Sequence, residues 1–284
     1  MTITIDLEPL SEAVGMAVRG VDLRETLDDS TQDDLRDLFA KECVLCFPDQ
    51  DITAEDQRRF AAIFGRVDTG NRGNSKKDLK KAATRGEMLV TNIRENGKPI
   101  GSLPDGEMQF HSDGAHRQVP YRATTLYGIR IPSTGGNTMF ANLQAAYDAL
   151  SPEIKGRIDE LQTQTVYDYE AQNRSTIGSD PDLPRAQHAL VKTHPVTGRK
   201  SLYLSRLMTE KILDMDHDDS ETLLAELFDH AEKPEFVYSH KWTPGDLVIW
   251  DNRSTNHART DFPPEEQRLL RRYTISDPDA PLAN

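Results

Sequence analysis

The first third of the chain alternates apolar runs of strand type with segments of helical period. A strand is predicted in VGMAVRGVDL, and Ser30 is predicted to cap a helix through TQDDLRDLFAKE, with Asp33 at the capping-box position. After a strand-like run, CVLCFP, Thr53 and Asp56 form the capping-box pattern of a second helix, AEDQRRFAAIF. This part of the chain predicts helices that pack on the outside of a sheet.

From Met88 onward, short runs rich in β-branched and aromatic residues dominate. These predicted strands are MLVTNI, EMQFHSD, RATTLYGIRI, NTMFAN, ALVKTH, KSLYLS, EFVYSHKW, DLVIWDN and RRYTISD. PSTGGN and PVTGRK predict hairpin turns, because glycine adopts positive φ at little cost. Two helical inserts interrupt the strands: LQAAYDAL with SPEIKGRIDELQ, which Ser151 caps ahead of Pro152, and SETLLAELFDHAEK.

Many strands with few helical inserts predict a mostly β protein with flanking helices and a double-stranded β-helix, or jelly-roll, core. No linker divides the chain, so we expect one domain over residues 1–284. Two polar stretches, 67–86 and 168–187, lack apolar periodicity, and we expect mobile loops there. The second stretch could be a lid over a site or plain disorder.

Charge and cysteine content narrow the classes of function. Lys and Arg number 34 against 47 Asp and Glu, a net charge of -13, which argues against a nucleic-acid or anionic-membrane surface. No apolar run approaches the ~20 residues of a membrane span and the N-terminus has no secretory pattern, so a cytoplasmic location is expected. Cys43 and Cys46 lie in an apolar run without a second pair, which favours buried structural thiols over a redox or zinc site.

The segment MQFHSDGAH places His111 and Asp113 two residues apart in an otherwise apolar run. In a strand, residues i and i+2 share a face, so an imidazole nitrogen and a carboxylate oxygen would project together. A second histidine would complete the two-histidine, one-carboxylate set of non-haem Fe(II) oxygenases. An isolated His-x-Asp is more often a strand whose polar face carries those residues by chance.

His257 is the favoured third ligand among the remaining histidines. It follows GDLVIWDNRSTN, an apolar strand and turn that can present a side chain at the mouth of a sheet. His116 is a local rival, but it follows Gly114 and is expected to turn away. The histidines expected at the surface are His188, His194, His217, His230 and His240.

Three arginines, Arg268, Arg271 and Arg272, lead into the last predicted strand. Alternation places Arg272 on the face opposite Tyr273. Guanidinium groups before an apolar strand favour an anion at its inner face, whereas a solvated sheet edge would give the same pattern. This segment alone leaves both interpretations open.

As an ordered set, these motifs are specific. The set comprises His-x-Asp, STGGNT, WDNRSTNH and Arg272, and the likeness extends over GVDLRETLDD, FHSDGAHRQVPYRATTLYGIRIPSTGGNTMFANLQAAYDALSP, KTHPVTGRKSLYLS and HKWTPGDLVIWDNRSTNHART, followed by the terminal arginines. With it the chain resembles, over nearly its whole length, the taurine dioxygenase and 2,4-dichlorophenoxyacetate dioxygenase family of Fe(II)- and 2-oxoglutarate-dependent oxygenases.

The resemblance implies a role for each matching residue. Those that match the iron ligands are His111, Asp113 and His257. Thr138 and Arg272 match the pair that holds the distal carboxylate of 2-oxoglutarate, and Arg268 matches an arginine near its metal-chelating end. A guanidinium suits this task because it donates two parallel hydrogen bonds to one carboxylate.

The resemblance also implies the reaction: hydroxylation of a C–H bond in a small, acidic substrate, such as an aryloxyalkanoate, sulfonate, sulfate ester or other carboxylic acid. Fe(II) would be the cofactor, 2-oxoglutarate and O2 the co-substrates, and succinate and CO2 the co-products. We expect a homo-oligomer, a dimer or tetramer, and no nucleic-acid or membrane partner. The alternatives are a non-oxidative jelly-roll isomerase or lyase, which would not need Thr138 and Arg272, and a 2-oxoglutarate-binding protein, which would not need the three ligands.

The identity of the substrate is less well indicated. Taurine dioxygenase has a histidine and a tyrosine after the second helix that contact the sulfonate, whereas VDTGNRGNSKKD has neither, and Glu107 stands in place of an asparagine. Taurine is therefore not the expected substrate. Arg117, Arg259 and the lysines at 76, 77, 80 and 81 could meet an acidic substrate, although each is more often a solvated surface charge.

Overall fold

Strands make up most of the regular structure. The computed structural model describes residues 5–68, 86–102, 106–168 and 174–279. In these ranges the strands are β1 Asp6–Pro9, β2 Met16–Arg19, β3 Val44–Phe47, β4 Arg66–Val67, β5 Met88–Thr91, β6 Arg94–Glu95, β7 Lys98–Pro99, β8 Met108–His111, β9 Ala123–Arg130, β10 Thr138–Asn142, β11 Gln162–Val166, β12 Arg185–Ala189, β13 Val191–Thr193, β14 Lys200–Leu202, β15 Thr209–Ile212, β16 Val237–His240, β17 Leu247–Asp251, β18 Thr255–Arg259 and β19 Leu269–Ser276.

The helices of the described ranges are fewer and mostly short. They are α1 Asp29–Glu42, α2 Ala54–Ala62, α3 Leu143–Asp148, α4 Pro152–Ile158 and α5 His217–Ala231, with single 3-10 turns at Arg174–Thr176 and Pro234–Phe236. Within that part of the chain, no helix combines the length and the apolar character needed to cross a bilayer.

Capping side chains set where the helices begin. Thr53 caps α2 in the predicted capping box, and Ser151 caps α4 ahead of Pro152, as predicted. The prediction for α1 was wrong: its N-cap is Asp28, whose carboxylate accepts from the Thr31 N–H at 2.8 Å. An Asp carboxylate caps as well as a Ser hydroxyl, so α1 begins two residues earlier than predicted.

Two sheets pack against each other. The larger has the order β1-β2-β3-β17-β9-β19-β4, with β5 also paired to β19, and the smaller has the order β16-β10-β18-β8. Leu126 and Trp250 of the larger sheet share a hydrophobic cluster with Phe140 of the smaller one. The two sheets therefore bury a common layer of side chains.

Helices cover the outer faces of both sheets. Phe39 of α1 and Phe60 of α2 pack with the larger sheet, and Phe228 of α5 packs with Ala141 and Ala258 of the smaller one. Because side chains alternate along a strand, the neighbours of Ala141 and Ala258 point the other way, toward the larger sheet. His257 is one of those neighbours.

The two predicted hairpin turns have different outcomes. PVTGRK joins the antiparallel strands β13 and β14, as predicted, with Gly198 at a φ of 70°. PSTGGN is not a hairpin, because β9 belongs to the larger sheet and β10 to the smaller one. Gly135 and Gly136 have positive φ in this connection, so the glycines serve a crossing between sheets.

Residues 69–85 and 169–173, within the two predicted loops, lie outside the described residues. The flanks of these loops are more regular than predicted. Arg66–Val67 pairs with β19, and Arg185–Ala189 pairs with β11. The segment RAQHA escaped the prediction because one of its buried residues is a histidine.

Cys43 and Cys46 are free and buried. Cys43 is the C-cap of α1, and Cys46 lies in β3. Burial raises the pKa of Cys43 to about 12, so the thiol is protonated at neutral pH. The prediction of buried thiols is confirmed.

Candidate active site

His111 and His257 are brought together by strand pairing. β8 and β18 are neighbours in the smaller sheet, and His257 is the residue opposite His111. Their ring centroids are 4.1 Å apart. Pairing between segments distant in the sequence therefore builds half of the site.

Asp113 reaches the same point from a turn. β8 ends at His111, so the expectation that both side chains project from one strand was wrong in that detail. Gly114, with a φ of 72°, helps the chain turn back at this point. Asp113 Oδ1 lies 4.0 Å from His111 Nε2, and Asp113 Oδ2 lies 3.8 Å from His257 Nε2. One ligand-type atom from each of the three residues lies within 4.8 Å of the others.

The protonation states of these side chains suit a divalent metal ion. Burial lowers the pKa of both imidazoles, that of His257 strongly, so both are neutral at pH 7. Burial would raise the pKa of Asp113, but the Arg272 guanidinium and the other groups around the carboxylate, among them the Thr124 hydroxyl, together outweigh burial and hold that pKa well below its usual range. His111 Nδ1 must donate to the Gln109 carbonyl at 2.9 Å, which leaves Nε2 as the acceptor nitrogen. Two neutral imidazoles and one carboxylate fit the donor set of non-haem iron.

Arg272 contacts this group directly. Its Nη2 lies 2.7 Å from Asp113 Oδ1, and its Nε has no hydrogen-bond partner among the described residues. A buried carboxylate thus has a buried cation as its partner.

Arg268 occupies a different part of the same space. It is 2% exposed, and its Nε donates to the Gly136 carbonyl at 3.1 Å. Burial and the nearby Arg259 lower the pKa of Arg268 to about 9, and within the described ranges no carboxylate forms an ion pair with it. A buried guanidinium that forms no ion pair with a carboxylate of the described ranges favours the binding of an anionic ligand.

The resemblance put Arg268 near the metal-chelating end of 2-oxoglutarate and Arg272 with Thr138, and this allocation stays a prediction. In the structure, Arg272 is the arginine at the three-residue group. Arg268 precedes β19, whose register is irregular between Leu269 and Leu270. Simple alternation therefore does not relate the two side chains.

A cavity between the sheets collects the residues that the sequence singled out. Thr138, the first residue of β10, lines it and accepts from Trp242 Nε1 at 3.0 Å. Among the other lining residues are His111, His257, Arg259, Arg268 and Arg272, with Val90, Met108 and Leu126 as apolar surface. Five of the six predicted site residues line this cavity, and the sixth, Asp113, contacts His257 and Arg272.

Arg259 is not the solvated surface charge that was expected. It is 8% exposed, and its Nε donates to the Gly106 carbonyl at 3.0 Å. The signal was present in the sequence, since residue i+2 from His257 shares its face of the strand. Arg117 is partly exposed and donates to Tyr121 Oη at 2.8 Å, while the lysines at 76, 77, 80 and 81 lie outside the described residues.

Three of the five histidines expected at the surface are buried instead. His188 Nε2 donates to the Ala115 carbonyl at 2.7 Å, and His194 Nε2 lies 2.9 Å from Asp251 Oδ2. The third is His240, while His217 is exposed and His230 half-buried. Their burial was not predictable because the partner groups are distant in the sequence. His116, the local rival as a ligand, packs against Tyr167 with 4.5 Å between ring centroids.

A second group of ligand-type atoms comprises Cys46, His240 and Asp246. His240 Nε2 lies 3.2 Å from Asp246 Oδ2, so these two residues form a pair of their own. Burial strongly raises the pKa of the Cys46 thiol, which is therefore not a thiolate. We assign this group a structural role.

Comparison with known proteins places the geometry in context. A family model described as "Taurine catabolism dioxygenase TauD, TfdA family" matches residues 6–274. A relative from Sphingobium herbicidovorans, an (S)-phenoxypropionate/alpha-ketoglutarate-dioxygenase, is 32% identical, and the match covers 95% of this chain and 94% of the relative. Pentalenolactone F synthase of Streptomyces avermitilis is also 32% identical, with 94% of this chain and 93% of the relative covered.

A solved structure has a similar fold over nearly the whole chain. The crystal structure of AAD-2 in complex with Mn(II) and N-oxalylglycine is 33% identical and matches with a TM-score of 0.80, covering 99% of both chains. That protein was therefore crystallised with a divalent metal ion and a small dicarboxylate.

Proposed function

The chain belongs to the taurine catabolism dioxygenase TauD, TfdA family and is a 2-oxoglutarate-dependent dioxygenase, and we propose that His111, Asp113 and His257 hold its iron. Membership implies Fe(II) as the cofactor and 2-oxoglutarate and O2 as co-substrates. When bound, these supply the oxidation that hydroxylates a C–H bond while 2-oxoglutarate becomes succinate and CO2. The observation that carries the assignment is the His-Asp-His group beside an arginine-lined cavity. A non-oxidative metal protein or a pure 2-oxoglutarate binder would not account for the family, and both alternatives are set aside.

Each ligand has a distinct task. His111 and His257 present neutral imidazole nitrogens, because burial lowers the pKa of both. Asp113 contributes the negative charge that partly neutralises a divalent cation. Three protein donors leave coordination positions for a co-substrate, as in other non-haem iron sites.

The two arginines suit two carboxylates. We assign Arg268 and Thr138 to the distal carboxylate of 2-oxoglutarate, because Arg268 is buried without an acidic partner among the described residues and contacts Gly136, two residues before Thr138. We assign Arg272 to an anionic group beside the metal ion, either the other end of 2-oxoglutarate or an acidic substrate. This exchanges the two arginines relative to the allocation made from the sequence.

We propose an aryloxyalkanoate as the substrate class. The Sphingobium relative is named for (S)-phenoxypropionate, and this chain matches nearly all of it. Val90, Met108 and Leu126 give the cavity an apolar wall, while the arginines provide for acidic groups. Sulfonates, sulfate esters and other carboxylic acids are the competing classes.

The remaining proposals concern architecture and assembly. The two packed sheets are proposed to be the halves of a double-stranded β-helix, which the shared cluster of Leu126, Phe140 and Trp250 supports. Residues 1–284 are proposed to form one domain. We propose a homo-oligomer, a dimer or tetramer, that acts in the cytoplasm.

Anaerobic spectroscopy tests the function directly. Fe(II) and 2-oxoglutarate are added to metal-free protein without O2, and the visible charge-transfer band of chelated 2-oxoglutarate is recorded. We then add an aryloxyalkanoate, an alkyl sulfonate or an alkyl sulfate ester and follow the shift of that band. A band that the aryloxyalkanoate shifts most supports the proposed substrate class.

Two variants serve as controls for this experiment. His111→Ala and Asp113→Ala should give no band while remaining folded. A band of normal intensity in either variant would contradict the ligand assignment. A band that responds to sulfate esters but not to aryloxyalkanoates would reject the substrate class and leave the iron site intact.

A further inference from the structure

Asn252 lies behind Asp113 and contacts the groups around it. Its Oδ1 accepts from Trp250 Nε1 at 3.1 Å and from the Asp113 N–H at 3.3 Å. Its Nδ2 donates to Thr124 Oγ1 at 3.0 Å, and Thr124 Oγ1 in turn donates to Asp113 Oδ2 at 2.6 Å. Thr124 is 0% exposed, and Trp250 and Asn252 are each 1% exposed. Water is therefore excluded from this chain of hydrogen bonds.

Trp250, at one end of this series of hydrogen bonds, fixes which atom donates and which accepts in each bond. An indole N–H can only donate, so the Asn252 oxygen must face Trp250 and the amide nitrogen must face Thr124. The Thr124 oxygen accepts from that nitrogen, which leaves its own hydrogen for the Asp113 carboxylate. The hydrogen bonds from Trp250 through Asn252 and Thr124 to Asp113 therefore have a single consistent direction.

The consequence for Asp113 is a fixed carboxylate. Thr124 holds Oδ2, while Oδ1 is the oxygen that Arg272 contacts. The backbone is held as well, because Ser112 Oγ donates to the Asn252 carbonyl at 2.7 Å. Neither the side chain nor the turn that carries it can rotate without breaking buried hydrogen bonds.

The same support reaches a second proposed ligand. The ring of Trp250 packs on His257 with 4.7 Å between centroids. Trp250 lies near the end of β17 and Asn252 directly follows that strand, so one short stretch of chain contacts both Asp113 and His257.

We propose that Thr124 and Asn252 are positioning residues that orient the Asp113 carboxylate for metal binding. This inference rests on the proposed function, because it takes Asp113 as a ligand. Partners of this kind orient the groups that bind a metal, and their removal typically weakens metal affinity by roughly 10- to 100-fold.

Manganese binding tests the proposal without turnover. Thr124→Val removes the hydroxyl and keeps the shape, whereas Thr124→Ser keeps the hydroxyl. Thr125→Val is the matched control, because Thr125 is also 0% exposed in β9 but its hydroxyl accepts from Gln57 Nε2 at 3.2 Å, away from the site. Binding of Mn(II) alone is followed by electron paramagnetic resonance, using protein whose circular dichroism matches the unaltered chain.

Thr124→Val should weaken Mn(II) binding by roughly 10- to 100-fold, with Thr124→Ser and Thr125→Val within a few fold of the unaltered protein. Thr124→Ala removes the same hydroxyl and replaces the valine variant if that variant does not fold. Equal losses in Thr124→Val and Thr125→Val would overturn the proposal, because a general packing effect would then explain both.

Asp113→Ala, measured beside them, separates this inference from the proposed function. If Asp113→Ala abolishes Mn(II) binding while Thr124→Val binds normally, the positioning role is wrong and the ligand assignment stands. If Asp113→Ala binds Mn(II) normally, the ligand assignment itself fails.

Discussion

Arg272 and Asp113 form a buried ion pair, with Nη2 2.7 Å from Oδ1. The same carboxylate would bind the proposed iron. The guanidinium thus neutralises Asp113 when no metal is bound, and it must share that carboxylate with the metal when one is bound. Folding and metal binding are linked through this contact.

Replacing Arg272 should make stability depend more strongly on metal. Arg272→Met leaves Asp113 buried without its cation, and breaking a buried pair costs about 3–5 kcal/mol. A bound Mn(II) restores the neutralising charge, so it should raise the free energy of unfolding more in the variant than in the unaltered protein. Urea unfolding with a chelator and with Mn(II) measures this difference.

The matched control is Arg271→Met. Arg271 is buried as well, but its Nε donates to Gln57 Oε1 at 2.7 Å and no metal ligand is involved. Its loss should lower stability equally with and without Mn(II). If Mn(II) raises the free energy of unfolding equally in the two variants, Arg272 does not neutralise the charge of Asp113.

Arg268 should govern the affinity for 2-oxoglutarate. Arg268→Ala removes a charged hydrogen-bond donor worth about 1.5–3 kcal/mol, so the dissociation constant should rise roughly 10- to 100-fold. Calorimetric titration of Mn(II)-loaded protein with 2-oxoglutarate measures the change, and Mn(II) affinity should stay constant. A larger loss in Arg272→Ala than in Arg268→Ala would restore the allocation made from the sequence.

The sequence identified the residues of the candidate site more accurately than it predicted the geometry of that site. The order of motifs was enough to select His111, Asp113 and His257, and the structure brings them together. Strand alternation was the wrong reason for His111 and Asp113, because β8 ends before Asp113. The two-residue spacing can thus point to a pair of ligands without predicting the turn between them.

Features that depend on distant partners were not accessible from the sequence. The hydroxyl of Thr124 meets Asp113 only because β9 passes behind the turn. PSTGGN has the composition of a hairpin and yet crosses between sheets, since turn propensity says nothing about which sheet the next strand joins. The relative directions of the Arg268 and Arg272 side chains could not be derived from strand alternation, because the register of β19 is irregular at its start.

Stability should fall on acidification partly through His188. Burial, together with nearby Lys192, lowers its pKa to about 4, against about 6.5 in an unfolded chain. Between these values the unfolded chain binds a proton that the folded one does not, so the free energy of unfolding falls as pH falls, by about 3 kcal/mol in all. His188→Gln keeps a donor for Ala115 and removes this titration.

Urea unfolding at about pH 7 and about pH 4.5 measures the effect of His188. The decrease in the free energy of unfolding should be smaller in His188→Gln than in the unaltered protein. His217→Gln is the control, because it makes the same substitution at an exposed histidine. If the two variants behave alike, the acid sensitivity originates elsewhere.

Gly136 should be required for the position of Arg268. Its φ is 64°, and a Cβ added there would lie 3.0 Å from Arg268 Nε and 3.1 Å from Arg268 Cδ. Pro132 Cγ would also lie 3.1 Å from the added Cβ, so the new methyl group cannot move away from Arg268 without meeting Pro132. Gly136→Ala should therefore displace the guanidinium and weaken 2-oxoglutarate binding several-fold, with Mn(II) affinity unchanged.

Gly198→Ala separates this displacement from simple backbone strain. Gly198 has nearly the same φ, 70°, but an added Cβ would meet nothing within 4 Å. Both variants should lose about 1–2 kcal/mol of stability, because both place a Cβ in the left-handed region. Only Gly136→Ala should bind 2-oxoglutarate more weakly in the calorimetric titration. If both alanine variants bind 2-oxoglutarate as the unaltered protein does, either Arg268 accommodates the methyl group by moving or the distal carboxylate binds elsewhere. Arg268→Ala decides between these outcomes, since it weakens binding only in the first.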